Sequence, residues 1–154
     1  MPEALQSILP QFFPEGVLSC SRYGCGHINE TYLVTARNGK RYILQKVSTL
    51  AFPDVKGLQE NITAVTAHLR RKNPDPRGTL HLVPTVTGQS WYALRPDSNW
   101  RVFDYIEDSI CLEAPRCPED FYESALAFGG FQQALSDFPA ETLHETIRDF
   151  HNTP

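Results

Sequence analysis

The chain has 154 residues, 41% of them hydrophobic and 21% charged, with a formal net charge of -4. That balance suits one folded domain with a real core and excludes a disordered chain, and the acidic excess argues against nucleic acid as a partner. No run approaches the roughly 18–20 apolar residues of a membrane span, and the start Met1-Pro2-Glu3-Ala4 lacks a signal-peptide pattern, so a cytoplasmic location with reduced thiols is expected.

In chain order, Leu5, Ile8, Leu9, Phe12 and Phe13 fall at helical spacing within residues 3–13, and Pro14-Glu15-Gly16 ends the run. This is a short amphipathic helix that docks on something larger. Residues 17–22 read as a strand, followed by a loop of small residues from Tyr23 to Asn29. Residues 30–36 resume as a strand with Tyr32, Val34 and Ala36 on one face. Asn38-Gly39 then predicts a type I′ turn, so that 41–47 pairs back antiparallel on 30–36.

Val55, Leu58, Ile62, Val65 and Leu69 recur at spacings of three and four, which predicts a helix over 55–72. The cluster Asn73-Pro74-Asp75-Pro76-Arg77-Gly78 breaks it. Two strand-like pieces follow, 80–86 and 90–95, and then an aromatic extended segment over 100–107. Residues 119–135 and 140–151 read as two helices separated at Phe138-Pro139. The class is α+β: an antiparallel sheet of five strands with one packed helix, then the first helices of an all-helical part. The domain boundary is expected at 107/108.

The glycine-bearing bend Gly24-Cys25-Gly26-His27-Ile28-Asn29 joins two paired strands and lets backbone amides approach phosphate oxygens closely. It is not a Walker A loop, because no Gly-Lys-Ser/Thr follows and a strand comes next. On its own it reads more readily as a plain hairpin loop. The order behind it is that of a kinase small lobe: a third strand, a helix packed on the sheet, two more strands and an extended hinge.

The segments GCGHINETYLV, RYILQKV, LQENITAVTAHL, WRVFDYIE, AFGGFQQAL and TIRDFHNTP together resemble the aminoglycoside-phosphotransferase-like (choline-kinase-like) kinases. Their match is to the N-acetylhexosamine 1-kinase branch, and it runs from about residue 17 to the end of the chain. The resemblance implies ATP as cofactor, with Mg2+ in the full-length enzyme and a sugar as acceptor. It implies that Gly24, Gly26, His27, Ile28, Asn29 and Thr31 line the phosphates and that Asp104, Tyr105 and Ile106 form the hinge that meets adenine.

The third strand departs from the usual pattern, with Gln45 where many such kinases carry Lys or Arg, and Lys46 beside it facing the other way. Gln45 reads either as a phosphate donor or as a structural amide. Glu60 or Asn61 fills the polar position on the helix, Glu60 more naturally on a solvated face. Arg101 reads as a surface arginine beside a core aromatic, or as a group directed to substrate or a carboxylate. His151 and Asn152 are candidates for an acceptor pocket.

Phosphoryl transfer in this fold uses an aspartate in a His-x-Asp loop, and none occurs: the five histidines are followed two positions on by Asn29, Arg70, Val83, Thr146 and Thr153. The expectation is therefore the N-terminal portion of a sugar kinase, inactive alone and prone to self-association through apolar helix faces. The alternative is a standalone nucleotide-binding or protein-interaction module without catalysis. The cysteines form no C-x-x-C pair, so no zinc site is expected.

Overall fold

A computed structural model describes residues 3–110, 112 and 114–150. The elements in order are α1 (Glu3–Phe12), β1 (Val17–Arg22), β2 (Glu30–Ala36), β3 (Arg41–Val47), α2 (Val55–Lys72), β4 (Leu82–Val83), β5 (Tyr92–Arg95), β6 (Ser98–Asp104), α3 (Pro118–Ala134) and a 3-10 turn at Ala140–Thr142. The sheet has six strands in the order β1-β2-β3-β6-β4, and β5 also pairs with β6. Every pairing is antiparallel.

Strand alternation splits this sheet into two faces with different fates. Tyr32, Val34, Ala36, Leu44, Trp100 and Val102 form a buried core with Leu5, Ile8, Leu9 and Phe12 of α1 and with Phe13. Leu44 stands opposite Tyr32 on one side and Val102 on the other, so the three strands share one apolar layer. Each such side chain contributes about 1.5–3 kcal/mol relative to exposure, which makes α1 the main cover of that face. The opposite face carries Ile43, Gln45, Arg101 and Phe103 and borders an open cleft.

The β2–β3 hairpin forms as expected, but its turn is not type I′. Gly39 is left-handed (φ 82°), while Asn38 keeps a negative φ. The Gly39 N–H donates to the Ala36 carbonyl at 2.9 Å, and the Ala36 N–H donates to that of Lys40 at 2.9 Å. This is a three-residue loop, a type I turn closed by glycine, and the Asn38 side chain steadies it by accepting from the Lys40 N–H at 3.0 Å.

Three further differences have local causes. The sheet has six strands rather than five, because the extended segment expected over 100–107 pairs as β6 (Ser98–Asp104) between β3 and β4, while 80–86 supplies only Leu82–Val83. Pro84 has no N–H to continue that ladder. The helix in the core is α1, not α2: Leu58, Ile62, Val65 and Leu69 are half-buried, and no α2 residue joins the core cluster.

Residues 140–151 do not form the expected helix over the described part. Both backbone groups of His144 are taken by Asn61, so neither is available for an α-helical ladder. By contrast α2 matches its periodicity, and its start is capped where Asp54 Oδ1 accepts from the Gly57 N–H at 2.9 Å.

Candidate functional site

The cleft is a cavity of about 490 Å³, a size that takes a small-molecule ligand. The sheet contributes Ile43, Gln45, Arg101 and Phe103, and the segment after β6 contributes Tyr105 and Ile106. Ile62 of α2 and Leu80 close the far side. Tyr23, at the end of β1, reaches over the opening: its hydroxyl lies 3.4 Å from that of Tyr105, with the rings edge-on at 6.1 Å. The Arg41 guanidinium stacks on the other side of Tyr105 at 4.3 Å and pairs with Glu107, which holds the segment in place.

Gln45 and Arg101 are direct cross-strand partners. Gln45 Oε1 accepts from Arg101 Nε at 3.1 Å and from Nη2 at 3.0 Å. Gln45 Nε2 donates to Thr31 Oγ1 at 3.2 Å, so the amide is fixed at both ends. Arg101 is only 8% exposed, and burial lowers its pKa to about 10. Its Nη1 is buried without a hydrogen-bond partner among the described residues. Arg101 is thus no surface arginine.

The sequence left Arg101 between a surface group and one directed to substrate or a carboxylate, because its position depends on β6 lying beside β3. The one available signal was alternation, which puts Arg101 on the face of Phe103 and away from the core residues Trp100 and Val102.

Asp104, Tyr105 and Ile106, at and just after the end of β6, all border the cleft. The Asp104 side chain lies on the α1 side of the sheet, where Lys40 Nζ meets it at 2.7 Å and His81 Nδ1 at 2.6 Å. Burial alone would raise this carboxyl, but the hydrogen bonds from Lys40 and His81 outweigh it and hold the pKa below its ordinary value. Asp104 therefore borders the cleft through its backbone. The Ile106 carbonyl accepts from Ser109 Oγ at 2.7 Å, which orders the turn that follows.

The glycine loop stands differently. Gly24 is left-handed (φ 74°), a conformation that suits glycine, and Gly24, Gly26, His27 and Ile28 are exposed and do not line the cavity. Asn29 turns inward, where its Oδ1 accepts from the Ser48 N–H at 3.0 Å. Thr31 reaches the cleft through Gln45. Lys46 lies on the opposite face from Gln45 and meets Glu30 at 3.4 Å.

On α2, Glu60 is exposed and meets Lys56 at 3.7 Å and His144 Nε2 at 2.7 Å, while Asn61 binds the His144 backbone. Neither enters the cleft. His151 and Asn152 lie outside the described residues. Among the described residues no group of three or more His, Cys, Asp or Glu side chains is placed to hold a metal ion. No helix among them is long and apolar enough to cross a membrane.

No family model matches the chain. Two solved phosphotransferases have similar structures. An amicoumacin kinase, in complex with AMP-PNP, Ca2+ and Ami, matches with a TM-score of 0.63 at 16% identity, over 88% of this chain and 40% of that protein. An aminoglycoside phosphotransferase from Alicyclobacillus acidocaldarius subsp. acidocaldarius DSM 446 also matches at TM-score 0.63 and 16% identity, over 94% of this chain and 38% of its own. The chain thus spans about two fifths of the length of each, and its α+β fold with an antiparallel sheet is that of a kinase-like lobe.

Proposed function

We propose that this chain is the nucleotide-binding part of an ATP-dependent small-molecule phosphotransferase. The cleft between sheet and hinge carries the reading. It is ligand-sized, walled by apolar groups, and bounded by a buried guanidinium at one place and irregular backbone at another. Adenine would lie against the backbone of Asp104, Tyr105 and Ile106, with Ile43, Phe103 and Ile62 above and below. The phosphates would extend toward Gln45 and the loop from Gly24 to Thr31, whose exposed position leaves it able to close over them.

Residues 1–107 would form this nucleotide-binding lobe, and 108–154 would begin the helical part. The acceptor would be an N-acetylhexosamine phosphorylated at its anomeric hydroxyl, a reading supported by the motif resemblance alone. Mg2+ would serve the full-length enzyme. The described residues do not fit a metal site by themselves, so no step is assigned to metal within this chain. With no His-x-Asp segment in the sequence, the chain by itself binds nucleotide without transferring phosphate.

One observation favours a second reading, an interaction module. Helix α3 has no buried residue and exposes Phe121, Tyr122, Leu126, Phe128 and Phe131. An apolar surface of that kind favours self-association. An assay of ATP-dependent phosphorylation of N-acetylglucosamine and N-acetylgalactosamine by the pure chain tests the main reading. Saturable ATP binding without sugar phosphate is expected, and absence of ATP binding would leave the interaction module.

A further inference from the structure

Arg101 is buried without a counter-charge. Among the described residues it forms no ion pair with a carboxylate, and the acceptor it does have is a neutral amide oxygen, Gln45 Oε1, shared by Nε and Nη2. Phe103 covers it from the same face, its ring centre 5.1 Å from the guanidinium carbon. Nη1 is buried and finds no hydrogen-bond partner among the described residues. A guanidinium taken out of water is held at a cost unless an anion offsets it. The side chain nevertheless lines the open cavity, next to Gln45 and Ile43.

The amide beside it has one orientation: its oxygen faces Arg101, and its nitrogen donates to Thr31 Oγ1 at 3.2 Å. Thr31 lies in β2, two residues after the glycine loop ends at Asn29. A hydrogen-bonded chain Arg101–Gln45–Thr31 therefore runs from the central strand to the root of that loop. It holds the cation on the cavity side of the sheet, on the strand next to the one where a kinase small lobe usually carries its lysine.

We propose that Arg101 is the cation that contacts the phosphates of the bound nucleotide, and that Gln45 is the positioning residue that aims it. This rests on the nucleotide reading of the cleft. An arginine in this place offers a planar fork to phosphate oxygens and stays charged at neutral pH, which a lysine in the same buried setting would do less reliably. The neutral Gln45 is then a fitting neighbour, since a second cation on the adjacent strand would repel the first.

The test is calorimetric titration of the 154-residue chain with ATP, adenosine and inorganic tripolyphosphate, for the natural sequence and for R101M, R101K and Q45L. In R101M, ATP and tripolyphosphate affinities fall tenfold or more while adenosine affinity stays within twofold. R101K recovers part of the loss, and Q45L weakens ATP less than R101M does. Thermal unfolding without ligand separates this from a structural role: R101M unfolds at the same temperature as the natural chain or higher.

The assignment is overturned if R101M binds ATP within twofold of the natural chain, or if ATP and adenosine weaken alike. If the natural chain binds adenosine and holds ATP no more tightly, Arg101 fails while the nucleotide reading stands. If it binds neither, the nucleotide reading itself fails.

Discussion

Asn61 and His144 exchange two hydrogen bonds: the Asn61 side-chain nitrogen donates to the His144 carbonyl at 2.8 Å, and its oxygen accepts from the His144 N–H at 2.9 Å. A single amide thereby replaces the helical partners of one residue and pins the segment after α3 to the middle of α2. His68 and Lys72 add a second tie about two to three turns further on, through the Ala134 carbonyl and Asp137. Asn61→Ala should free the segment from 143 onward at a cost of about 1 kcal/mol, with faster hydrogen exchange at the His144 amide. Unchanged protection there would show that the contact does not hold the segment.

Gly57 makes the close approach of that segment possible. A methyl group at this position would run into the Asp54 carboxylate that caps α2 and would lie 2.9 Å from the His144 Cβ. Glycine to alanine inside a helix normally stabilises by up to about 1 kcal/mol. Here Gly57→Ala should instead destabilise by about 1–3 kcal/mol, measured by denaturant unfolding. A gain in stability would mean that the 143–145 segment does not sit against α2.

Asp104 ties the end of β6 to Lys40 and His81, and its pKa is lowered in the folded state. A carboxyl whose folded pKa lies below its unfolded value, about 3.9, stabilises the fold above that pH and loses the contribution as pH falls through the folded pKa. Asp104→Asn should therefore lower stability near neutral pH by about 1 kcal/mol, the scale of a partly exposed ion pair. The gap to the natural chain should close as pH falls through the folded-state pKa, below the ordinary carboxylate value. A gap independent of pH in thermal unfolding would assign the loss to packing rather than charge.

Helix α3 exposes Phe121, Tyr122, Phe128 and Phe131, with Phe128 at 70%. The isolated chain should therefore self-associate at micromolar concentration, read by light scattering. Phe128→Glu with Phe131→Glu should return it to monomer without lowering its unfolding temperature, because neither side chain is buried. A natural chain that is monomeric, with little binding of a hydrophobic dye, would contradict this.

What was legible in the sequence was local. The apolar period of Val55 to Leu69 located α2 to the residue, and Asn38-Gly39 located the β2–β3 hairpin, although only Gly39 adopts the left-handed backbone. The non-local pairing was not legible. Nothing in the order of segments says that Ser98–Asp104 enters between β3 and β4, and that insertion alone brings Arg101 against Gln45.

The pattern of residues 140–151 looked helical because spacing reports apolar faces and says nothing of a distant Asn61 competing for the backbone. Asp104, Tyr105 and Ile106 border the cleft, whereas Gly24, Gly26, His27 and Ile28 are exposed and do not line it, and Asn29 accepts from the Ser48 N–H just past β3.

The central claim is that the cleft between β3, β6 and the hinge takes a nucleotide. Backbone amide spectra of the isotope-labelled chain, titrated with AMP-PNP, test it most directly. The account predicts saturable shifts concentrated at Tyr105, Ile106, Gln45, Arg101 and the loop from Gly24 to Thr31. No shifts at millimolar nucleotide, or shifts confined to α3, would contradict it.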